Sequence, residues 1–265
     1  MNNLYLKMIT EICNELEIQL ELLDSTLLMV LQKGQKRRYI WSKKFELNSA
    51  TSFRIANSKF ATHIVLERYH VPHIPCRRIL FSGESVSSIY HSVYMDFTRY
   101  KDIVLKPDNG YNGNDVYRCK SQEDIKTALA SIQKTYKYLA TAPFISTFSE
   151  YRIFYLNGNC LFGYEKKPDR EHGAWKHNLS VGAKAKCIES WELKNELYKL
   201  AKQAAEAIGI TFATVDIVID EQQPLVMEIN SGVVADIFAS QSIQNYEIAK
   251  DIYKQAIEAM FNQER

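Results

Sequence analysis

Apolar positions at the start of the chain recur with a helical period. Leu4, Met8, Ile12, Leu16, Leu20 and Leu23 share one face with acids between them, predicting an amphipathic helix near 4–23. A short strand is expected around Thr26–Leu31, then a basic, solvated turn at Gly34–Arg38 and another strand at Tyr39–Trp41. Asn57 or Ser58 can cap a helix whose apolar positions include Phe60, Ile64, Val65 and Leu66. Val71-Pro72-His73-Ile74-Pro75 ends that helix, and 83–92 reads as helix or turn. Ile103–Leu105 is a buried-type strand, and Val116–Arg118 returns from the loop Pro107–Asn114. A helix over 121–138 and an apolar strand at Ala142–Phe148 follow. Glu150–Leu156 and Cys160–Glu165 form a hairpin across Asn157-Gly158. A polar segment, 168–180, precedes a helix at 190–208 that Gly209 ends, and a last helix covers roughly 242–261. Runs of helices and strands, rather than strict alternation, predict an α+β chain with two sheets.

The hairpin between those last two helices, within 211–234, breaks the pattern of a buried pair of strands. Thr211–Ile219 and Leu225–Ile229 are apolar and β-branched, yet they carry Asp216 and Glu228, with Asn230 just beyond. If the turn is centred on Gln222, Asp216 lies opposite Glu228 and Thr214 opposite Asn230. Two carboxylates and an amide oxygen then share one patch. Facing like charges destabilise a sheet, and a hard divalent cation would relieve them. Acids turned to solvent from a surface hairpin fit equally, and a one-residue slip would part them.

Composition narrows the field. The 265 residues suit one large domain or two close lobes, and the apolar fraction of 46% is that of a globular protein. A net charge of +2 implies no nucleic-acid partner. Five scattered cysteines without a CxxC pair suit reduced thiols and a cytoplasmic setting. No apolar run approaches membrane-spanning length, and the acid-interrupted N-terminus is not a signal peptide. Lys59, in the first turn of its helix, opposes the helix dipole; a surface lysine and a phosphate ligand both fit. Lys106 and the loop glycines Gly110 and Gly113 suit phosphate contact or an ordinary turn. His172 and His177 read as residues of a polar loop.

These motifs fall in one order. Asn57-Ser58-Lys59 opens a helix, then come Val-Pro-x-Ile-Pro and Val-Leu-Lys106-Pro with Gly110 and Gly113. Glu150-Tyr151-Arg152, Asn178-Leu179-x-x-Gly182, Asp216 and Glu228-Ile229-Asn230 follow. Over about residues 45–240 the chain resembles the ATP-grasp superfamily. It is nearest to the amino-acid ligase branch of α-L-glutamate ligases, the ligase domain of bifunctional glutathione synthetases, and cyanophycin synthetase.

The resemblance implies ATP held between two α+β lobes, and a carboxylate–amine ligase working through an acylphosphate on an amino acid or peptide. Lys59 and Lys106 would contact phosphates under the Gly110–Gly113 loop. Ser146, Thr147 and Phe148 would form the adenine hinge, with Met227 beneath the ring. Asp216, Glu228 and Asn230 would hold two Mg²⁺ ions, with Mn²⁺ as a substitute. Lys166, Arg152 and Asn178 would face the reacting centre, and Arg170, Lys176 and His177 would close over substrate. Residues 1–48 would be an abbreviated N-terminal segment and 49–265 the ATP-grasp domain, with a small lobe about 100–145. A homodimer or partner protein would then complete the short N-terminal region. The chain departs from the family at the hinge, where Ser146 and Thr147 replace a ribose-binding acid. It departs again after Asn230, where Ser231-Gly232-Val233-Val234-Ala235-Asp236 replaces Pro-Gly. A small-molecule kinase and a non-catalytic nucleotide- or partner-binding module are the alternatives on the same fold.

Overall fold

The computed structural model describes residues 4–25, 27–83, 85–110, 114–147, 149–168 and 177–263. The first helix is shorter than predicted: α1 spans Leu4–Glu15, and Glu17 takes a left-handed φ of 55°. Ile18, Leu20 and Leu22 also fit a spacing of two, so the chain turns back into β1 (Gln19–Leu22). β2 (Leu28–Lys33), β3 (Lys36–Trp41) and β4 (Lys44–Phe45) complete an antiparallel sheet in sequence order.

Two capped helices follow, α2 (Ala50–Asn57) and α3 (Lys59–Arg68). Ser58 closes the first and caps the second, accepting from the Ala61 amide. β5 (Arg77–Leu80) leads into α4 (Val86–Tyr100), which runs two turns past the expected 83–92 with Ile89 and Val93 buried. Next come β6 (Ile103–Pro107), β7 (Tyr117–Cys119), α5 (Gln122–Ile132) and β8 (Tyr138–Pro143). The strand expected at Ala142–Phe148 thus lies upstream, because Tyr138–Pro143 is the stretch seated between β5 and β6. The small sheet has the order β5-β8-β6-β7, so this lobe begins at Arg77, ahead of the expected 100.

The larger sheet follows, made of β9 (Glu150–Leu156), β10 (Asn159–Lys167) and β11 (Lys184–Cys187), then α6 (Trp191–Ala207), β12 (Phe212–Asp220) and β13 (Gln223–Asn230). Its order is β11-β10-β9-β12-β13. α7 (Asp236–Ala239) and α8 (Ile243–Asn262) close the fold.

Alternation along β9 and β12 sorts the two faces. Tyr151, Ile153, Tyr155, Ala213, Val215 and Ile217 pack against Leu197, Leu200, Ala201 and Ala204 of α6. Phe154, Leu156, Tyr164 and Phe212 lie on the other face and join one core with α1, β2, β3 and α8. That second face is apolar only as far as Phe154; at Arg152 it turns charged. The basic stretch expected to be solvated instead caps α8. Arg38, buried, donates to the carbonyls of Met260 (2.6 Å) and Gln263 (3.0 Å), and Lys36 donates to that of Phe261 (2.9 Å). Unpaired carbonyls at a helix C-terminus attract cations, which holds the first sheet to the last helix.

Candidate active site

The charged end of the large sheet is built by register. Tyr164, Arg152, Asp216 and Glu228 stand side by side across β10, β9, β12 and β13. The β12–β13 hairpin turns on Glu221 and Gln222, both at positive φ (46° and 83°), so Asp220 pairs with Gln223. A bulge then leaves Met227 between Val226, which pairs with Ile217, and Glu228, which pairs with Asp216. A regular ladder would put Met227 opposite Asp216. The extra residue returns Glu228 to that position and Asn230 to Thr214, the alignment predicted from a turn centred on Gln222.

Asp216 is the hub of the row. Its Oδ1 accepts from Arg152 Nε (2.8 Å) and lies 3.0 Å from Lys166 Nζ. Its Oδ2 accepts from a second Arg152 nitrogen (2.7 Å) and from Asn230 Nδ2 (3.2 Å). Burial opposes the charge, yet Arg152 and Lys166 outweigh it and hold this carboxyl far below its ordinary value. Lys166 also pairs with Glu150, directly across from it on β9. Burial and Arg152 oppose the Lys166 charge, but Asp216 and Glu150 prevail and its pKa rises.

Lys59 links three elements. From the first turn of α3, its ammonium donates to the carbonyls of Gly110 (2.8 Å) and Asp108 (3.3 Å) beyond β6, and lies 3.4 Å from Glu228. Asp108 is buried and answers the dipole question, its carboxylate accepting from Ser58 Oγ and the Phe60 amide at the same helix terminus. Lys106, on β6, is near enough to Lys59, Glu228 and Glu150 to sense their charges. Desolvation, then the Lys59 ammonium, lower its pKa. Among the described residues its ammonium has neither a hydrogen bond nor an ion pair. Four carboxylates (Glu150, Asp216, Glu228 and, at the α3 terminus, Asp108) thus stand among four cations (Lys59, Lys106, Arg152, Lys166), and Lys106 is the one of these cations with no ion pair among the described residues.

Other predicted positions stand apart. Thr147 is engaged with Ser149, accepting from its amide and donating to its carbonyl, and Ser146 is exposed. Ser149 donates to Glu165 on β10. Asn178 precedes a short 3₁₀ turn, Leu179–Val181, with no side-chain bond to that turn. Gly113, Phe148, Arg170, His172 and Lys176 lie outside the described residues. Two members went unselected. Glu150 was not legible as a partner of Lys166, because a regular hairpin across Asn157-Gly158 would set it opposite Glu165 and only the bulge between Cys160 and Phe162 brings Lys166 there. Asp108 gave no signal, because only the tertiary fold brings it to Ser58.

As a hard-cation site the row fits unevenly. Among the described residues Glu228 has one ion pair, at 3.4 Å, and Asn230 uses its amide nitrogen, leaving the carbonyl oxygen to accept. Asp216 has two donors on each oxygen, so it can join a metal only when Arg152 or Lys166 turns to another anion.

Two α+β lobes, with lysines from two elements facing an acid-and-amide strand pair, define an ATP-grasp protein. A family model for the RimK-like ATP-grasp domain matches residues 56–256, and the chain belongs to that family. The tetrahydromethanopterin:alpha-L-glutamate ligase of Methanosarcina acetivorans is 29% identical over 200 residues, covering 70% of this chain and 59% of that protein. A glutathione synthetase of Anaplasma centrale is 30% identical over 135 residues, covering 51% and 42%. The chain spans about six tenths of the length of the glutamate ligases it matches. Among solved structures, D-alanyl-alanine synthetase A from Vibrio cholerae shares the fold with a TM-score of 0.67 at 10% identity, covering 96% of this chain and 92% of that one.

Proposed function

We propose that this protein is an ADP-forming carboxylate–amine ligase acting on an amino acid or peptide. The observation that carries the reading is the pair Lys59 and Lys106, brought together where α3, β6 and the large sheet meet, the second buried without an ion pair among the described residues. Lys59 and Lys106 bind the ATP phosphates, and Gly110 lies against Lys59 at the start of the loop that covers them. The hinge at Ser146–Phe148 and Met227 take the adenine. Glu228 and Asn230 would hold Mg²⁺, two ions with Mn²⁺ as a substitute, and Asp216 would join them once Arg152 or Lys166 turns to another anion. When bound, Mg²⁺ would supply charge neutralisation for the phosphates.

Arg152 and Lys166 orient the substrate carboxylate and the moving phosphoryl group by charge. A carboxylate oxygen attacks the γ-phosphorus, the bond to the β–γ bridging oxygen breaks, and ADP leaves. An amine then attacks the acyl carbon, loses its proton and expels inorganic phosphate. Asn178 faces the same centre once substrate is bound. A second copy or a partner protein contributes to the substrate surface. No helix among the described residues is long and apolar enough to cross a membrane, and the setting we propose is cytoplasmic.

The named relatives make L-glutamate the first amine to try. Purified protein with Mg²⁺-ATP is presented with amino acids and peptides as acids, with and without L-glutamate or another amine, and ADP, phosphate and product mass are followed. The expected result is ADP release that needs both acid and amine, equimolar phosphate and an amide product. A phosphorylated product formed without amine would sink the ligase reading in favour of a kinase. Mg²⁺-ATP binding with no turnover across the panel would favour a binding module.

A further inference from the structure

A second cluster lies on α3, on the side of β13 away from the charged row. His63 and Glu67 are one helical turn apart and share a face. The chain leaves α3, turns at His70 (φ 55°) and runs back along the edge of β13. There the Pro72 carbonyl accepts from the Val226 amide (3.0 Å), and the Ile74 amide donates to the Val226 carbonyl (3.0 Å). The backbone on both sides of His73 is therefore fixed to the sheet. Its ring meets His63 with a separation of 2.6 Å between His73 Nε2 and His63 Nδ1, and Glu67 Oε2 lies 3.7 Å from the same Nε2.

The tautomer follows from geometry. His73 Nδ1 is 2.7 Å from the Val71 carbonyl oxygen, which can only accept, so Nδ1 carries the proton. In the neutral ring Nε2 then carries the lone pair, and it lies beside His63 Nδ1 and the Glu67 carboxylate. A histidine anchored through one nitrogen to a backbone carbonyl, with the other turned to further donors, has the posture of a metal ligand.

We propose that His63, Glu67 and His73 form a binding site for a divalent transition metal of the zinc type. Two imidazoles and a carboxylate suit zinc better than magnesium, and water from the groove beside Val71 and Leu225 completes the coordination. The three ligand atoms already lie within 4.8 Å of one another. Tetrahedral zinc separates its ligands by about 3.4 Å, so the histidine pair must open by about 0.8 Å. Glu67 is exposed and able to swing in. The ion would fasten α3, which carries Lys59, to the strand that carries Glu228, and its binding does not depend on the ligase assignment.

The test uses the full chain, stripped with chelator and dialysed against Zn²⁺ in excess Mg²⁺, with bound zinc measured by atomic emission. Co²⁺ in place of Zn²⁺ adds a visible spectrum. One zinc per chain is expected, together with the visible bands of four- or five-coordinate cobalt. His63→Gln and His73→Gln should each weaken binding at least about tenfold, and Glu67→Gln should weaken it less. Circular dichroism checks folding; should His73→Gln unfold, His63→Gln on the helix surface still decides. Absence of bound zinc in the native chain would reduce the pair to a histidine–histidine hydrogen bond and overturn the proposal. Full zinc stoichiometry and affinity in His63→Gln would overturn it as well.

Discussion

Replacing Lys166 by methionine tests how the charged row is held together. The ammonium is 3% exposed, 3.0 Å from Asp216 Oδ1, and paired with Glu150 on its other side. At an effective dielectric of ~20, one such contact is worth about 5 kcal/mol before desolvation is charged against it. Methionine fills similar volume and removes the charge. Asp216 keeps its two bonds from Arg152, so the uncompensated group is Glu150, itself buried. Breaking a buried pair from one side costs about 3–5 kcal/mol, and a loss at the lower end is expected because Asp216 remains paired. Urea unfolding at pH 7 would be followed for Lys166→Met, Glu150→Gln and the double variant. Removing both charges should restore part of the loss, giving a coupling of at least about 2 kcal/mol. A single-variant loss below about 1 kcal/mol, or strict additivity, would refute the view that these side chains form one buried unit.

Lys106 makes a pH prediction. Its pKa in the folded chain is below the ordinary 10.5, so between those two values the unfolded chain holds more protons and stability rises with pH. Phosphate binding favours the charged lysine, so Mg²⁺-ATP binding in that alkaline window should take up a proton. Calorimetry in two buffers of different ionisation enthalpy would show it, and Lys106→Met should abolish the uptake. Ser58→Ala removes the N-cap of α3 and the partner of Asp108, and should cost about 1–2 kcal/mol in urea unfolding. A change within about 0.3 kcal/mol would mean that Asp108 caps the helix alone.

Local signals carried far in this chain. β-branched runs, the Asn157-Gly158 turn and serine caps announced the larger elements, and their α+β order was legible from pattern. Ordered motifs brought Lys59, Lys106, Arg152, Lys166, Asp216, Glu228 and Asn230 forward as candidates. Short-range patterns are ambiguous just after α1. Leu16, Leu20 and Leu23 fit a helix while Leu20 and Leu22 fit a strand, and only pairing with β2 chose between them at Gln19–Leu22.

What the amino-acid sequence determined by itself is which residues could do chemistry and on which kind of element they sit, because propensity and alternation act over a few neighbours. Tertiary structure decided who touches whom. The bulge at Met227 sets the row that joins Asp216 to Glu228, Asp108 crosses from the small lobe to cap α3, and Arg38 finds the end of α8. It also showed that Asp216 is already saturated by Arg152, Lys166 and Asn230, so facing acids that seemed to require a cation are neutralised by the chain's own side chains. Contacts such as Asp108 to Phe60 and Arg38 to Met260, 48 and 222 positions apart, depend on the packing of whole layers, and no local pattern encodes them.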